Sequence, residues 1–295
     1  MQKICLGSIF DNFDLGPSRN QNTLSSLPFN VWEDEETLWA EFYRNDTGYL
    51  FRMIGIADFN ISYDGKECTC YPIPGIENET RDHMFRSQVQ PFLWNRRNKL
   101  IFHASCIDYD DTAIAFMGES GKGKSTLVAA FAKKGCGFLT DDGLLIEKSK
   151  GEFWAKPNDP SIRLWDTSYE ALMTHNDKLS AAISFTDKKR ILASSLLPYC
   201  NQPRPLKAVY FLANDDVDDF IIKEVKGARR HVLWSKCSFN LDVWDKEAMS
   251  LSFENVAELA MTVPSFTLDY PRDFDKLDSV IESLEVHINA HMGKR

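Results

Sequence analysis

The segment FMGESGKGKSTLVAAFAKKGCGFLTDD, residues 116–142, is the most informative stretch of the chain. It opens at the end of an apolar run, continues through a glycine-rich stretch and then becomes apolar again. The glycine-rich stretch fits the pattern Gly118-x-x-x-x-Gly123-Lys124-Ser125, and a strand before it and a helix after it are the context that this pattern requires. The segment therefore predicts a phosphate-binding loop between a buried strand and a helix.

Each residue type in this loop has a chemical reason. Glycines let the backbone turn its N–H groups inward around an anion, and the start of the following helix adds its positive dipole end. Lys124 is expected to reach the β- and γ-phosphates of a nucleotide, and the Ser125 hydroxyl is expected to bind Mg²⁺. The predicted nucleotide-binding residues are Gly118, Glu119, Ser120, Gly121, Lys122, Gly123, Lys124, Ser125 and Thr126.

Two adjacent carboxylates, Asp141 and Asp142, follow about 17 residues after Lys124, past one helix and one short strand. The chain therefore returns quickly to the phosphate end of the loop. One carboxylate can hold Mg²⁺ while the other accepts a proton from an attacking hydroxyl. Upstream, His103 lies in the apolar run LIFHASCI, on the strand expected to pair with the strand before the loop. We interpret His103 as a catalytic candidate together with Asp141 and Lys124.

The composition narrows the function classes. The chain has 295 residues and a formal net charge of −9, which argues against a nucleic-acid-binding surface. Its seven cysteines are scattered, as is typical of reduced thiols in a cytosolic protein. The N-terminal sequence has acidic residues where a signal peptide needs an apolar core, and no apolar run is long enough to span a bilayer. These features predict a cytoplasmic protein without a membrane or nucleic-acid partner.

The pattern of elements predicts an α/β fold with a mixed central sheet. YLFRMI and ADFNISY are typical strands, and Asp64-Gly65 predicts the turn of a hairpin. Further strands alternate with helices, but several of them are joined by tight turns, which indicates a sheet that is not purely parallel. We expect residues 1–95 to form a small α+β unit that docks a substrate, and residues 96–295 to form a P-loop domain.

These motifs together resemble the catalytic domain of HPr kinase/phosphorylase, a bacterial serine kinase with a phosphoenolpyruvate-carboxykinase-like P-loop fold. The resemblance rests on His103, the loop GESGKGKS, the helix TLVAAFAKKG and the Asp141-Asp142 pair, and it covers about residues 99–147. It implies that Asp141 accepts the proton of a substrate serine and that Asp142 and Ser125 are on the metal side. Over the whole chain, the sequence is similar to HPr-kinase-related proteins of biosynthetic clusters, some of which phosphorylate a lasso-peptide precursor.

Two hypotheses from different classes follow. In the first, the protein is an ATP- and Mg²⁺-dependent kinase acting on a serine of a peptide or protein; in the second, it is a nucleotide-binding regulatory or scaffold module with little or no transferase activity. A kinase needs cations beyond the loop lysine to stabilise the transferred phosphoryl group or to dock the substrate. The candidates for that role are Arg163, Lys188, Lys189 and Arg190. A homo-oligomer is left open.

Overall fold

The structure is a computed structural model that describes residues 2–4, 12–173, 188–213 and 217–292. Its described residues form two compact units. The first contains residues up to 99 together with 239–252, and the second contains 100–238 and 253–292. The division that we predicted lies after residue 95, whereas the compact units divide after residue 99.

The first unit contains one antiparallel sheet with a single parallel pairing among its described strands. Ordered along the chain, its elements are β1 (Gln2–Ile4), β2 (Phe13–Leu15), β3 (Asn30–Glu33), β4 (Leu38–Asn45), β5 (Gly48–Met53), β6 (Ala57–Ser62), β7 (Cys68–Pro72), α1 (Asn78–Met84), a π-helical turn (Phe85–Val89) and α2 (Gln90–Arg96). The order across the sheet is β1-β2-β7-β6-β5-β4-β3, and β2 and β7 form the parallel pair. The strands expected at YLFRMI and ADFNISY are β5 and β6, and Gly65, with φ of 67°, lies in the predicted turn.

The second unit contains the predicted loop. Its strands are β8 (Leu100–Phe102), β9 (Ala104–Tyr109), β10 (Thr112–Met117), β11 (Gly137–Thr140), β12 (Leu144–Ser149), β13 (Glu152–Lys156), β14 (Ser161–Leu164), β15 (Lys189–Leu192), β16 (Arg204–Leu212), β17 (Ile221–Glu224) and β18 (Ser265–Asp269). Its helices are α3 (Lys124–Lys133), α4 (Asp166–Leu172), α5 (Ala228–Cys237), the later part of α6 (Lys246–Thr262) and α7 (Leu277–Met292), with a 3₁₀ turn at Phe274–Lys276.

The central sheet is mixed, as the tight turns predicted. Nine described strands belong to it: seven lie in the order β11-β9-β10-β16-β13-β12-β8, and β18 and β17 continue from β16. Strand β10 is parallel to β16, which is parallel to β18. Strand β9 is antiparallel to both β10 and β11. Because β10, β11, β16 and β18 therefore run in one direction, the segments that follow them emerge at the same edge of the sheet.

One strand differs from its expectation. The sequence from Leu100 to Tyr109 predicts a continuous strand, but the structure divides it at His103, because β8 pairs with β12 while β9 pairs with β10 and β11. At the break, the His103 amide donates to the Cys237 carbonyl (2.8 Å) instead of to a neighbouring strand. His103 is consequently exposed, although its neighbours Phe102 and Ala104 are fully buried.

The core lies on both faces of the central sheet, as the period-two alternation of β10 requires. Ile114 and Phe116 point to one face and belong to the same buried cluster as residues of α3 and α7. Ala115 and Met117 point to the other face and belong to a cluster with Trp234 of α5 and residues of α6. The strand before the loop and the helix after it are thus both held by buried contacts. In the described parts of the chain, no helix is both long enough and apolar enough to cross a membrane.

Candidate active site

The glycine-rich loop joins β10 to α3 with a backbone that few residues other than glycine adopt. Gly118, Gly121 and Gly123 have φ values of 150°, 82° and 90°, in the region where a Cβ causes strain. There is a second reason for glycine at position 118, because a Cβ there would lie 2.9 Å from the carbonyl oxygen of Leu212. Helix α3 begins at Lys124, as predicted, directly after Gly123. The loop therefore presents the amino end of a helix at the edge of the sheet, where anions are favoured.

The loop lysine is buried and turned onto its own loop. The Lys124 ammonium donates to the carbonyl oxygens of Gly118 (2.8 Å) and Glu119 (2.9 Å). Burial lowers the pKa of Lys124, and the carboxylates of Asp142 and Asp141 partly oppose that effect. The ammonium is therefore held by two carbonyl oxygens of its own loop.

Asp141 is the most constrained of the predicted acids. Its Oδ1 accepts hydrogen bonds from the hydroxyls of Ser125 (2.8 Å) and Ser105 (2.6 Å), and its Oδ2 accepts one from the Arg163 amide (2.9 Å). The residue is 7% exposed. Strand β11 carries it there, because β11 runs in the direction of β10 and Thr140 pairs with Cys106 of the intervening β9. Asp141 thus connects the loop serine to two further elements of the sheet edge.

Asp142 faces a different set of groups. Its side chain, 40% exposed, forms an ion pair with the Arg163 guanidinium. Its backbone has φ of 68°, a left-handed conformation that is uncommon outside glycine and often found at functional sites. Asn158 supports the turn that follows, donating from its side chain to the Gly143 carbonyl (3.1 Å). The two adjacent aspartates therefore differ, since one is enclosed by hydroxyl and amide donors and the other is open beside an arginine.

The charges around Asp142 shift the ionisation of the site. Partial desolvation by the surrounding protein raises the pKa of Asp142, but Arg163, followed by His103, Lys188 and Lys124, more than offsets it and holds that pKa below its usual range. Desolvation also lowers the pKa of His103 beneath its usual value, against the opposing effect of Asp142, although the His103 side chain keeps access to solvent. The cluster therefore combines an ionised carboxylate with a largely neutral imidazole near pH 7.

The four cations predicted for the substrate or phosphate separate into two pairs. Arg163 and Lys188 act on Asp142, and the Lys188 ammonium also lies 5.1 Å from the ring centroid of Trp165. Lys189 instead pairs with Asp166 (3.1 Å). Arg190 pairs with Asp159 (2.8 Å) and lies opposite Arg163 in the two-stranded sheet of β14 and β15. Lys189 and Arg190 are neighbours on β15 and therefore point to opposite faces of that sheet.

The remaining loop residues occupy less enclosed positions. Glu119, Ser120 and Gly121 are exposed at the tip of the loop, and the Lys122 amide closes a turn onto the Glu119 carbonyl (3.4 Å). Thr126 shares a hydrogen bond of 3.1 Å with Ser168 of α4. This contact fixes α4 against the first turn of α3.

Sequence reasoning missed three residues next to the site. Ser105 could have been found, because alternation along β9 places it two residues after His103. Tyr270 and Arg272 lie beyond the end of β18, far along the chain, in the segment DYPRDFDKL, to which the sequence reasoning gave no phosphate-binding role. Their proximity to Gly123 follows only from the strand order: a Cβ on Gly123 would lie 2.7 Å from the Tyr270 hydroxyl oxygen and 3.8 Å from a guanidinium nitrogen of Arg272.

A magnesium ion fits the donors that meet at the start of α3. The Ser125 hydroxyl and the Asp141 carboxylate lie within 2.8 Å of each other, and oxygen ligands of this type are those that Mg²⁺ prefers when phosphates complete its coordination. Over the described ranges, no three or more histidine, cysteine, aspartate or glutamate side chains converge as an all-protein metal site. The six described cysteines are free thiols.

Comparisons with known proteins identify no family for the chain. No protein-family model and no curated protein matches it. Among solved structures, the Hpr(Ser) kinase/phosphatase from Coxiella burnetii matches 64% of this chain and 93% of its own, with 8% sequence identity and a TM-score of 0.32. A likeness at that level carries no functional argument.

Proposed function

We propose that the protein is an ATP- and Mg²⁺-dependent kinase that transfers a phosphoryl group to a serine hydroxyl of a peptide or protein. The observation that carries the proposal is the pair of unlike carboxylates beside the loop, with Asp141 hydrogen-bonded to Ser125 and Asp142 open beside Arg163 and His103. A module that only binds nucleotide needs one metal-side acid, whereas a kinase also needs a group that positions or deprotonates the acceptor.

Ser125 and Asp141 are the residues that would hold the magnesium ion. The chemistry that a bound magnesium ion would supply is neutralisation of the negative charge of the phosphate groups. Asp141 suits the metal side because three hydrogen bonds fix both of its oxygens within the edge of the sheet. Lys124 would exchange its two carbonyl partners for oxygens of the β- and γ-phosphates.

Asp142 is then the group that accepts the proton of the acceptor serine. This reverses the roles first implied by the resemblance and takes the alternative in which Asp141 holds the metal. Asp142 is open to an incoming hydroxyl, whereas the oxygens of Asp141 are already engaged by donors. Arg163 would move from Asp142 to the transferred phosphoryl group, which stabilises that group's charge and leaves the carboxylate free to take the proton.

The acceptor follows from the sequence resemblance and not from contacts in the site. The resemblance points to a serine in a peptide or protein, and a lasso-peptide precursor is the specific acceptor that we propose. Lys188 and the 45% exposed Trp165 lie beside the Asp142 cluster and offer a cationic and an aromatic surface to such a chain. An ordered peptide would be expected to contact both.

The experiment compares Asp142→Asn with Asp141→Asn by two separate measurements. Phosphoryl transfer to serine peptides is followed by mass spectrometry, and Mg²⁺-dependent ADP binding is followed by calorimetry. Asp142→Asn should lower transfer by roughly 10²–10⁴-fold with nearly unchanged ADP affinity, since only the proton acceptor is lost. Asp141→Asn should weaken Mg²⁺-dependent binding and transfer together.

Lys124→Ala serves as the control that removes phosphate contact without touching either carboxylate. Asp142→Asn that transfers at the parental rate would remove Asp142 from the proton-accepting role. A parent protein that binds ADP but transfers phosphate to none of the serine peptides would contradict the kinase proposal and favour the nucleotide-binding scaffold.

A further inference from the structure

The guanidinium group of Arg272 lies next to the loop and is shielded from solvent, although the residue as a whole is only partly buried. Within the described ranges, none of its three nitrogens makes a hydrogen bond of good geometry, and the neighbouring Tyr270 side chain is the group that interacts with it. The Arg272 guanidinium carbon instead lies 3.6 Å from the centroid of the Tyr270 ring, a stacking contact. Since burying an ionised group without hydrogen bonds is costly, this arrangement leaves several strong donors available to a ligand.

The neighbouring carboxylates are engaged elsewhere. Asp273, next to Arg272 in the chain, accepts a hydrogen bond from the Asp275 amide (3.0 Å) and caps the 3₁₀ turn. In the described ranges, none of the ion pairs within 4.0 Å includes Arg272. Stacking on an aromatic ring is a common way of holding a guanidinium in place while its donor edge remains free.

The donors of Arg272 lie against the phosphate-binding loop. Gly123 is the residue immediately before α3, and the space a Cβ would take there is occupied by the Tyr270 hydroxyl at 2.7 Å, with an Arg272 nitrogen at 3.8 Å. Burial raises the pKa of Tyr270 to about 12, so its ring remains a neutral stacking surface. A guanidinium at the amino end of a helix that favours anions is well suited to phosphate oxygens.

The strand order separates the two ends of a bound nucleotide. Asp141 and Asp142 follow β11, and His103 precedes β9, so all three lie on one side of β10. Tyr270 and Arg272 follow β18, which lies on the other side, beyond β16. In the proposed reaction the γ-phosphate must face the aspartates, so the α- and β-phosphates extend from it towards β16 and β18.

We infer that Arg272, stacked on Tyr270, binds the α- and β-phosphates of the nucleotide, as a binding residue and not a catalytic one. The inference deepens the proposed function, since it assumes that the loop holds a nucleoside di- or triphosphate. It places the nucleotide, which donates the phosphoryl group, at the end of β18. The serine that accepts the phosphoryl group is placed at the end of β11. Neither Tyr270 nor Arg272 was predicted from the sequence as part of the nucleotide site.

The test measures binding by calorimetry instead of transfer, with ADP and adenosine as probes in the presence of Mg²⁺. Arg272→Met keeps an apolar stem on Tyr270 but removes the donors, and it should weaken ADP binding by roughly 10- to 100-fold, the usual effect of losing hydrogen bonds to a charged group. Binding of adenosine, which has no phosphate, should change less than twofold. Arg229→Met, at an exposed arginine of α5, is the matched control and should bind ADP as the parent does.

Arg272→Lys keeps the positive charge but lacks the planar guanidinium with its parallel donors, so its loss of ADP affinity should be smaller than that of Arg272→Met. If Arg272→Met does not fold, Arg272→Lys replaces it in the test. ADP affinity within twofold of the parent in a folded Arg272→Met would overturn the inference. Equal losses for ADP and adenosine would also overturn it, because Arg272 would then contact the nucleoside. Failure of the parent protein to bind ADP would instead refute the proposed function itself.

Discussion

Ser105→Ala is expected to destabilise the second unit through the hydrogen bond that Ser105 donates to Asp141. The bond is short (2.6 Å), its donor residue is completely buried, and its acceptor residue is 7% exposed. A hydrogen bond to a charged group contributes about 1.5–3 kcal/mol. With a shift of about 2–4 °C per kcal/mol for a unit of this size, the melting temperature should fall by roughly 3–12 °C.

The assay is chemical and thermal unfolding of the purified protein, with Ser283→Ala as the control. The Ser283 hydroxyl donates only to the Ser279 carbonyl on α7 (2.8 Å), so its loss should change stability by less than about 0.5 kcal/mol. A double-mutant cycle of Ser105→Ala with Asp141→Asn should give a coupling of about 1 kcal/mol, because the bond weakens by half when its acceptor is neutral.

A refutation would be a Ser105→Ala protein as stable as the Ser283→Ala control, together with zero coupling in the cycle. Either the hydroxyl would then have a different partner, or Asp141 would not be held at the sheet edge. The same variant should weaken Mg²⁺-dependent ADP binding, because Asp141 would be oriented by Ser125 and the Arg163 amide alone.

Two further predictions concern the backbone and the pH dependence of the second unit. Gly123→Ala should lower the free energy of unfolding by about 1–3 kcal/mol, because Gly123 has a φ of 90° and a Cβ there would approach the Tyr270 hydroxyl. Gly121→Ala should lower it by less, because Gly121 has a φ of 82° but open space around the position of a Cβ. Unfolding in urea measures the stability of both variants. Adding Tyr270→Phe to Gly123→Ala should recover part of the lost stability. Equal losses of stability at the two glycines would contradict the steric reasoning. Burial, aided by His291, lowers the pKa of His287 from 6.5 to about 4. The unfolded chain therefore binds more protons as the pH falls from 6.5 towards 4, so stability should decrease over that interval, and less so in His287→Gln. Parallel losses of the urea midpoint in both proteins between pH 7 and pH 5 would exclude His287 as the cause.

The strand and the helix on either side of the glycine-rich segment were predictable because their constraints are local. The glycine spacing, the apolar flanks and helix α3 from Lys124 all depend on neighbours in the chain, and the structure has them where the pattern places them. The mixed sheet was also predictable, since turns such as Asp110-Asp111 leave no room for a crossover between β9 and β10.

The unlike environments of the two aspartates were not predictable. Asp141 receives its partners from β9, α3 and β14, which only the tertiary fold brings together. The break at His103 is equally non-local, because it depends on β8 pairing with β12 instead of with the neighbours of β9. The position of Arg272 was not predictable for the same reason, since its place beside Gly123 depends on the order of strands across the sheet.

The two hydrogen bonds from Lys124 to the Gly118 and Glu119 carbonyls attach the lysine to its own loop. The ammonium offsets the partial negative charge of both carbonyl oxygens and thereby helps to hold the shape of the loop. Under the proposed function, these contacts would compete with the ligand, because phosphate oxygens would have to displace carbonyls that already accept hydrogen bonds from Lys124. The proposal therefore implies that nucleotide affinity depends on the difference between two sets of lysine contacts, and that changes which weaken the lysine–carbonyl hydrogen bonds would strengthen phosphate binding.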